Sequence, residues 1–178
     1  LTSKLHNWWF PPPSPSPNST SLPSPAAYFR RRLFLWMPKR MWGIVLQCPT
    51  CNHPARTLQS KGSYPHVRLV LDIKDYYYLA AEYHYCKACN GTFIAWDKRI
   101  LDLPPSGVRY KFPVVLTYKY ACDVAVISLL RSRTLGNSPS ALQNNICELH
   151  SEEWMRRCAD YLSACKQHKA AALAFHQP

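Results

Sequence analysis

Cys48-Pro49-Thr50-Cys51 and Cys86-Lys87-Ala88-Cys89 are two Cys-x-x-Cys pairs with 34 residues between them. Two residues between cysteines make a tight turn that aims both sulfurs at one point. Two such turns supply the four thiolates of a tetrahedral structural zinc site. Pro49 pre-sets φ in the first turn. Gly91, just past the second pair, offers the knuckle a residue free to take positive φ. The expected ligands of one structural Zn2+ are therefore Cys48, Cys51, Cys86 and Cys89. The separation exceeds the roughly 15–20 residues usual between paired Cys-x-x-Cys sites, and an extra hairpin inside the span accounts for the excess. Two redox pairs or disulfides are the alternative, and no neighbouring βαβ pattern favours them. His53 and His84 lie close enough in sequence to replace a cysteine or to support one from behind. A four-sulfur site is closed, leaving no position for water or substrate, so it argues against metal catalysis.

Strand signals flank both pairs. Met41 to Gln47 is a short apolar run leading into the first pair, Arg56 to Ser60 is its return, and Lys61 to Pro65 is a turn. His66 to Ile73 alternates with the two-residue period of a half-buried strand, placing Val67, Leu69, Leu71 and Ile73 on one side. Tyrosine-rich Tyr76 to Tyr85 enters the second pair and Thr92 to Trp96 leaves it. With strands on both sides, the cysteine pairs resemble the knuckles of a zinc ribbon. Lys98 to Lys111, with Pro104-Pro105-Ser106-Gly107, reads as a connector.

Beyond Pro113 the period becomes helical. Leu116, Tyr120, Val124 and Ile127 predict a first helix, and Gly136-Asn137 a stop. Ser138-Pro139 then offers a cap and a first-turn proline for a second, with Leu142, Ile146 and Leu149 on one face. Ser151-Glu152-Glu153 marks the start of a third, striped by Trp154, Cys158, Tyr161, Leu162 and Cys165. Residues 1–27, with Pro11-Pro12-Pro13 and Ser-Pro repeats, predict a disordered tail. The expected organisation is α+β: a tail over 1–27, a ribbon-like antiparallel β domain over 28–111, a three-helix, helix-turn-helix-like domain over 112–170, and a short tail over 171–178.

The chain has 178 residues, 22 Lys and Arg against 10 Asp and Glu, and a net charge of +12. That excess points to a polyanionic partner, DNA first. Arg30, Arg31 and Arg32 sit among bulky apolar residues, and Lys39 and Arg40 follow. Together they suggest an arm that forks onto phosphates and stacks on bases. Arg131 and Arg133 at the expected helical turn, with Gln143 and Asn144 on the second helix, are the candidates for a DNA groove. The other reading makes the tyrosine-rich strand and the arginine-aromatic arm a protein-docking surface. Cys122, Cys147, Cys158 and Cys165 read as small buried hydrophobes. Neither a membrane-length apolar run nor a signal segment is visible, which predicts a nuclear or cytoplasmic protein, not a secreted one. No phosphate loop, nucleophile motif or carboxylate pair is evident, so no enzyme is expected in this segment.

Several strings carry a family resemblance. Arg32-Leu33-Phe34-Leu35-Trp36-Met37-Pro38 with Met41-Trp42-Gly43, Asp75-Tyr76-Tyr77-Tyr78-Leu79-Ala80, Trp96-Asp97, Leu129 to Ser138, and Leu149-His150-Ser151-Glu152-Glu153-Trp154 resemble a domain of unknown function. That domain is found in fish and other animals, in large transposon-like proteins. The resemblance spans roughly residues 29–168 and implies cysteine-ligated zinc, a mobile-element context and partners within a larger protein.

Overall fold

The computed structural model describes residues 8–11, 22–51, 56–130 and 138–175. Its strands are β1 (Trp9–Phe10), β2 (Leu33–Trp36), β3 (Gln59–Ser63), β4 (Arg68–Leu71), β5 (Tyr76–Tyr85), β6 (Thr92–Ile94), β7 (Val114–Leu116) and β8 (Ala121–Asp123). Its helices are α1 (Pro25–Phe29), α2 (Pro38–Trp42), α3 (Lys98–Leu101), α4 (Ser106–Arg109), α5 (Val124–Leu129) and α6 (Pro139–Phe175). The architecture is α+β: a curled β half-barrel followed by one long helix.

Everything in the sheet is referred to β5. Its first half lies between β2, which runs parallel to it, and antiparallel β4. Its second half lies between antiparallel β3 and β6. Successive strand residues face opposite sides, yet Tyr77, Leu79 and Ala81 are buried at one end and Glu82, His84 and Cys86 at the other. The inward side therefore changes at Ala81–Glu82, because β5 passes from one core to a second. The larger core holds Phe34, Trp36, Val70, Tyr77, Leu79 and Phe112. The smaller holds Leu46, Leu58, Phe93 and Ile100 around Cys48 and Cys86.

Aromatic packing fixes the larger core. Trp36 is fully buried and donates its indole N–H to the Ala95 carbonyl at 3.1 Å. Its ring lies 4.9 Å from Phe112 and 5.6 Å from Trp42. Tyr77 donates to Asp123 Oδ2 at 2.7 Å, while Asp123 Oδ1 caps α5 through the Ala125 amide. Burial, with Asp123 beside it, pushes the Tyr77 phenol far above its ordinary range.

Four expectations are corrected by the observed elements. Met41 to Gln47 is not a strand: Pro38 opens α2, and Gly43 closes it at φ +67 with its amide on the Lys39 carbonyl. That proline-first, glycine-last pattern outweighs the apolar run. The turn expected over Lys61 to Pro65 is largely the end of β3, irregular between Ser60 and Gly62. The helix expected from Pro113 is the β7–β8 hairpin, whose tip carbonyls at Thr117, Tyr118 and Tyr120 accept from the Arg68 guanidinium. Helix begins only at Val124, where Asp123 caps it. Finally, the second and third helices are one 37-residue helix. Ser151, read as a cap, instead donates to the Cys147 carbonyl one turn back, a bond that leaves a helix unbroken.

The proline-rich stretch is also more than a tail where it is described. Trp9–Phe10 pairs with β2, and Trp8 stacks edge-on to Trp42 at 4.1 Å. Residues 1–7 and 12–21 lie outside the described residues.

At about 1.5 Å per residue, α6 is about 55 Å long. It is anchored along its middle. His150 Nε2 lies 2.8 Å from the Asp72 carbonyl, Arg157 pairs with Asp75 at 2.7 Å, and Trp154 packs on Phe29 at 4.5 Å. Glu153 accepts from Arg156 and Arg157, and these hydrogen bonds, Arg156 first, outweigh burial and bring its carboxyl down to about 2. Because both arginines are on α6, the depressed carboxyl stabilises the helix over the unfolded chain above its ordinary value near 4.5, and that contribution is lost as pH falls through about 2. Acid titration followed by circular dichroism should show loss of helix in that window. Glu153→Gln should flatten it, and an unchanged acid limb would count against the linkage.

Candidate metal centre

The second knuckle is the tip of the β5–β6 hairpin, closed by the Cys86 amide on the Gly91 carbonyl at 2.9 Å. The first lies between two extended arms, where the Cys48 amide donates to Arg56 and the Leu58 amide to Leu46. These turns bring all four sulfurs within 4.8 Å of one another. Cys48 Sγ is 3.6 Å from Cys89 Sγ, and Cys51 Sγ is 3.7 Å from Cys86 Sγ. Each close contact thus joins one knuckle to the other. A disulfide brings sulfurs to about 2.05 Å, whereas metal–sulfur bonds of about 2.3 Å in a tetrahedron set them about 3.8 Å apart. The four cysteines are free thiols, and their arrangement suits a shared ion.

Local chemistry favours thiolate. Burial pushes the Cys48 thiol up, but Thr50 Oγ1 at 3.2 Å, the Thr50 and Cys51 amides, and Cys89 together bring it down to about 6. The residue at positive φ in the second knuckle is Asn90, at +55, not Gly91. Asn90 holds that conformation while accepting a hydrogen bond from Tyr85 Oη. Gly91 is needed for a different reason. A Cβ there would lie 3.1 Å from both Cys89 Sγ and the Phe93 ring, so a side chain would push on a ligand.

His84 takes no place in the sulfur cluster. It is fully buried beside Glu82, with Nε2 at 3.8 Å from Glu82 Oε2. Burial lowers its pKa, with Lys39 adding to the effect against the pull of Glu82. His53 lies outside the described residues. Among those that are described, the four-cysteine group is the one cluster of three or more metal-ligating side chains. Cys147 is exposed, and Cys122, Cys158 and Cys165 are half-buried, so the reading of these four as core hydrophobes does not hold for Cys147.

The residues expected to meet nucleic acid are dispersed. Arg31 pairs with Asp75, Arg32 with Asp72 at 2.7 Å, and Arg40 with buried Glu82 at 3.3 Å. Lys39 donates to the Leu58 carbonyl, tying α2 to the ribbon arm. Arg30 lines an apolar groove between α1 and α6 with Phe29 and Trp154. Gln143 and Asn144 are exposed near the start of α6, and Arg131 and Arg133 lie outside the described residues.

A second surface feature had only a weak signal, the tyrosine content of β5. Tyr64 lies 5.6 Å from Tyr83 and 5.7 Å from Trp96, and all three rings are half-buried. Lys61 Nζ sits 5.7 Å from the Tyr83 ring and 6.0 Å from the Tyr85 ring. Sequence periodicity does not reveal this group, because it gathers residues from β3, β5 and the turn after β6.

Fold and site define an α+β domain whose ribbon is clipped by a four-cysteine centre able to hold a metal ion. The chain belongs to the family described as a domain of unknown function (DUF6729), which matches residues 1–178 and so includes the proline-rich N-terminal residues. No curated protein and no solved structure is significantly similar to it. Among the described residues, no helix is long and apolar enough to cross a membrane.

Proposed function

We propose that the chain is a non-catalytic module in which one Zn2+, held by Cys48, Cys51, Cys86 and Cys89, fixes a nucleic-acid-binding surface, within a transposon-derived protein of the nucleus. Four soft thiolates in a tetrahedral arrangement are the donor set that zinc takes in closed structural sites. The transposon setting rests on the family resemblance.

One observation carries the nucleic-acid reading. Seven of the ten acids, Asp72, Asp75, Glu82, Asp97, Asp102, Glu153 and Asp160, are paired with arginines. Asp123 is bound by Tyr77. Among the described residues, no lysine is in an ion pair. Arginines thus neutralise most of the acids, and the lysines, ten of the 22 positive side chains, keep their charge without an acidic partner where they are described. Exposed ammonium groups without counter-charges attract phosphates and release condensed counterions when they bind. The protein-docking alternative would use the apolar groove between α1 and α6.

Mobility shift at graded salt tests the reading. For about three phosphate contacts on a single strand, affinity should fall about 20-fold between about 50 and 200 mM salt. Salt-independent binding, or none at the lowest salt, would sink it.

A further inference from the structure

We propose that the outer face of the ribbon binds single-stranded nucleic acid by stacking bases on Tyr83, Tyr64 and Trp96, with Lys61 holding a phosphate. The inference rests on the nucleic-acid reading above and gives it a site and a substrate class.

Along the second half of β5, Glu82 and His84 face inward, so alternation turns Tyr83 and Tyr85 outward. Directly across the ladder from Tyr83 stands Gly62. A Cβ at Gly62 would meet nothing within 4 Å, so the space beside the tyrosine ring is open. The ladder slips at this point, between Ser60 and Gly62, with Gly62 at φ +105. Such bulges re-aim a side chain, and here the residue inside the bulge is Lys61, whose ammonium hangs over Tyr83 and Tyr85.

Charge selects the occupant. Glu82 is the one acid on β3, β5 and β6, and it is buried on the opposite side against Arg40. Asp97, after Trp96, is held by two hydrogen bonds from the Arg99 guanidinium. Lys87, exposed in the second knuckle just beyond Tyr85, extends the positive charge toward the metal centre. A row of half-exposed rings flanked by lysines, with no free carboxylate, fits unpaired bases on a phosphate backbone. Duplex bases are stacked on one another and present no face to such rings. Three neighbouring rings suit about two to three bases.

The test uses the full chain loaded with zinc, and fluorescence anisotropy with a labelled oligothymidine and a labelled duplex of equal length. The single strand should bind more tightly. Tyr83→Leu, which keeps an apolar side chain without a ring face, should weaken it about 5- to 150-fold and leave the duplex nearly unchanged. Lys61→Gln should lower the single-strand salt slope by about 0.7. Lys61 is exposed, so this variant tests the site even where Tyr83→Leu perturbs folding. Trp96 emission should be quenched by the single strand. Equal binding of both probes, untouched by either variant, overturns the stacking face while leaving the nucleic-acid reading standing. Binding of neither probe at low salt removes both.

Discussion

Cys86→Ser is expected to abolish stoichiometric metal binding and to unfold the ribbon half of the domain. Cys86 is fully buried in the smaller core, its amide closes the second knuckle, and its sulfur lies 3.7 Å from Cys51 in the first. That core is small, and among the described residues the arms of the first knuckle are joined by a single isolated bridge at Gln47 and Thr57, made of two backbone hydrogen bonds. Structural zinc contributes an apparent 10–16 kcal/mol or so in small metal-dependent folds. A whole domain is stable by only about 5–15 kcal/mol. Losing the ion therefore outweighs what the ribbon's apolar contacts supply. Metal analysis by mass spectrometry should find about one zinc per wild-type chain, none in Cys86→Ser, and wild-type content in Cys147→Ser, whose thiol is exposed outside the cluster. Hydrogen exchange should show lost protection in β3 and β6. A wild-type protein without metal, or a Cys86→Ser protein that keeps it, defeats the assignment.

Trp36→Ala should be the most damaging change away from the metal. The side chain is completely buried, with four aromatic neighbours, Trp8, Phe34, Trp42 and Phe112, within 6.2 Å centroid to centroid. Truncating a buried tryptophan costs about 3–5 kcal/mol. The Ala95 carbonyl also loses its donor in a buried setting, which adds about 1–3 kcal/mol. Together these approach the entire stability of a marginal domain. Urea denaturation should show a large fall in midpoint, or no folded baseline at all. Trp36→Phe, which keeps a ring but not the N–H, should lie between. A Trp36→Ala shift worth less than about 1 kcal/mol would contradict the packing described. Because the two cores are separate clusters, metal content should survive this substitution better than the melting point does.

The legible features were those set by local chemistry. Cys-x-x-Cys spacing is itself a geometric instruction, so the four sulfurs could be grouped before any fold was known. Composition marked β4 and β5, but the alternation in His66 to Ile73 pointed to the wrong face of β4: Val70 is fully buried, while Val67 and Leu69, expected on the inward side, are exposed. Where two local signals competed, the weaker-looking one prevailed. Pro38 and Gly43 bracket a helix against the apolar run between them, and Asp123 delays the helix that Leu116 and Tyr120 seemed to begin. The Ser151-Glu152-Glu153 start signal had no breaker before it, so a continuous helix absorbed it.

The arginines show the other limit. Arg31, Arg32 and Arg40 sit in a basic cluster by sequence, yet their partners are Asp75, Asp72 and Glu82, 40 residues away or more in every case. No local pattern encodes such pairing. The same is true of the row from Tyr64 to Trp96, and of Trp8, whose place in the core depends on β1 finding β2.

The sequence by itself therefore determined the four-cysteine centre, the α+β character and the sign of the net charge, because each follows from residue type at short spacing. Only the tertiary structure decided which positive charges remain for a partner. Charge is a property of residues, but neutralisation is a property of neighbours: the sheet brings Asp72, Asp75 and Glu82 to Arg32, Arg31 and Arg40, while no lysine among the described residues is in an ion pair.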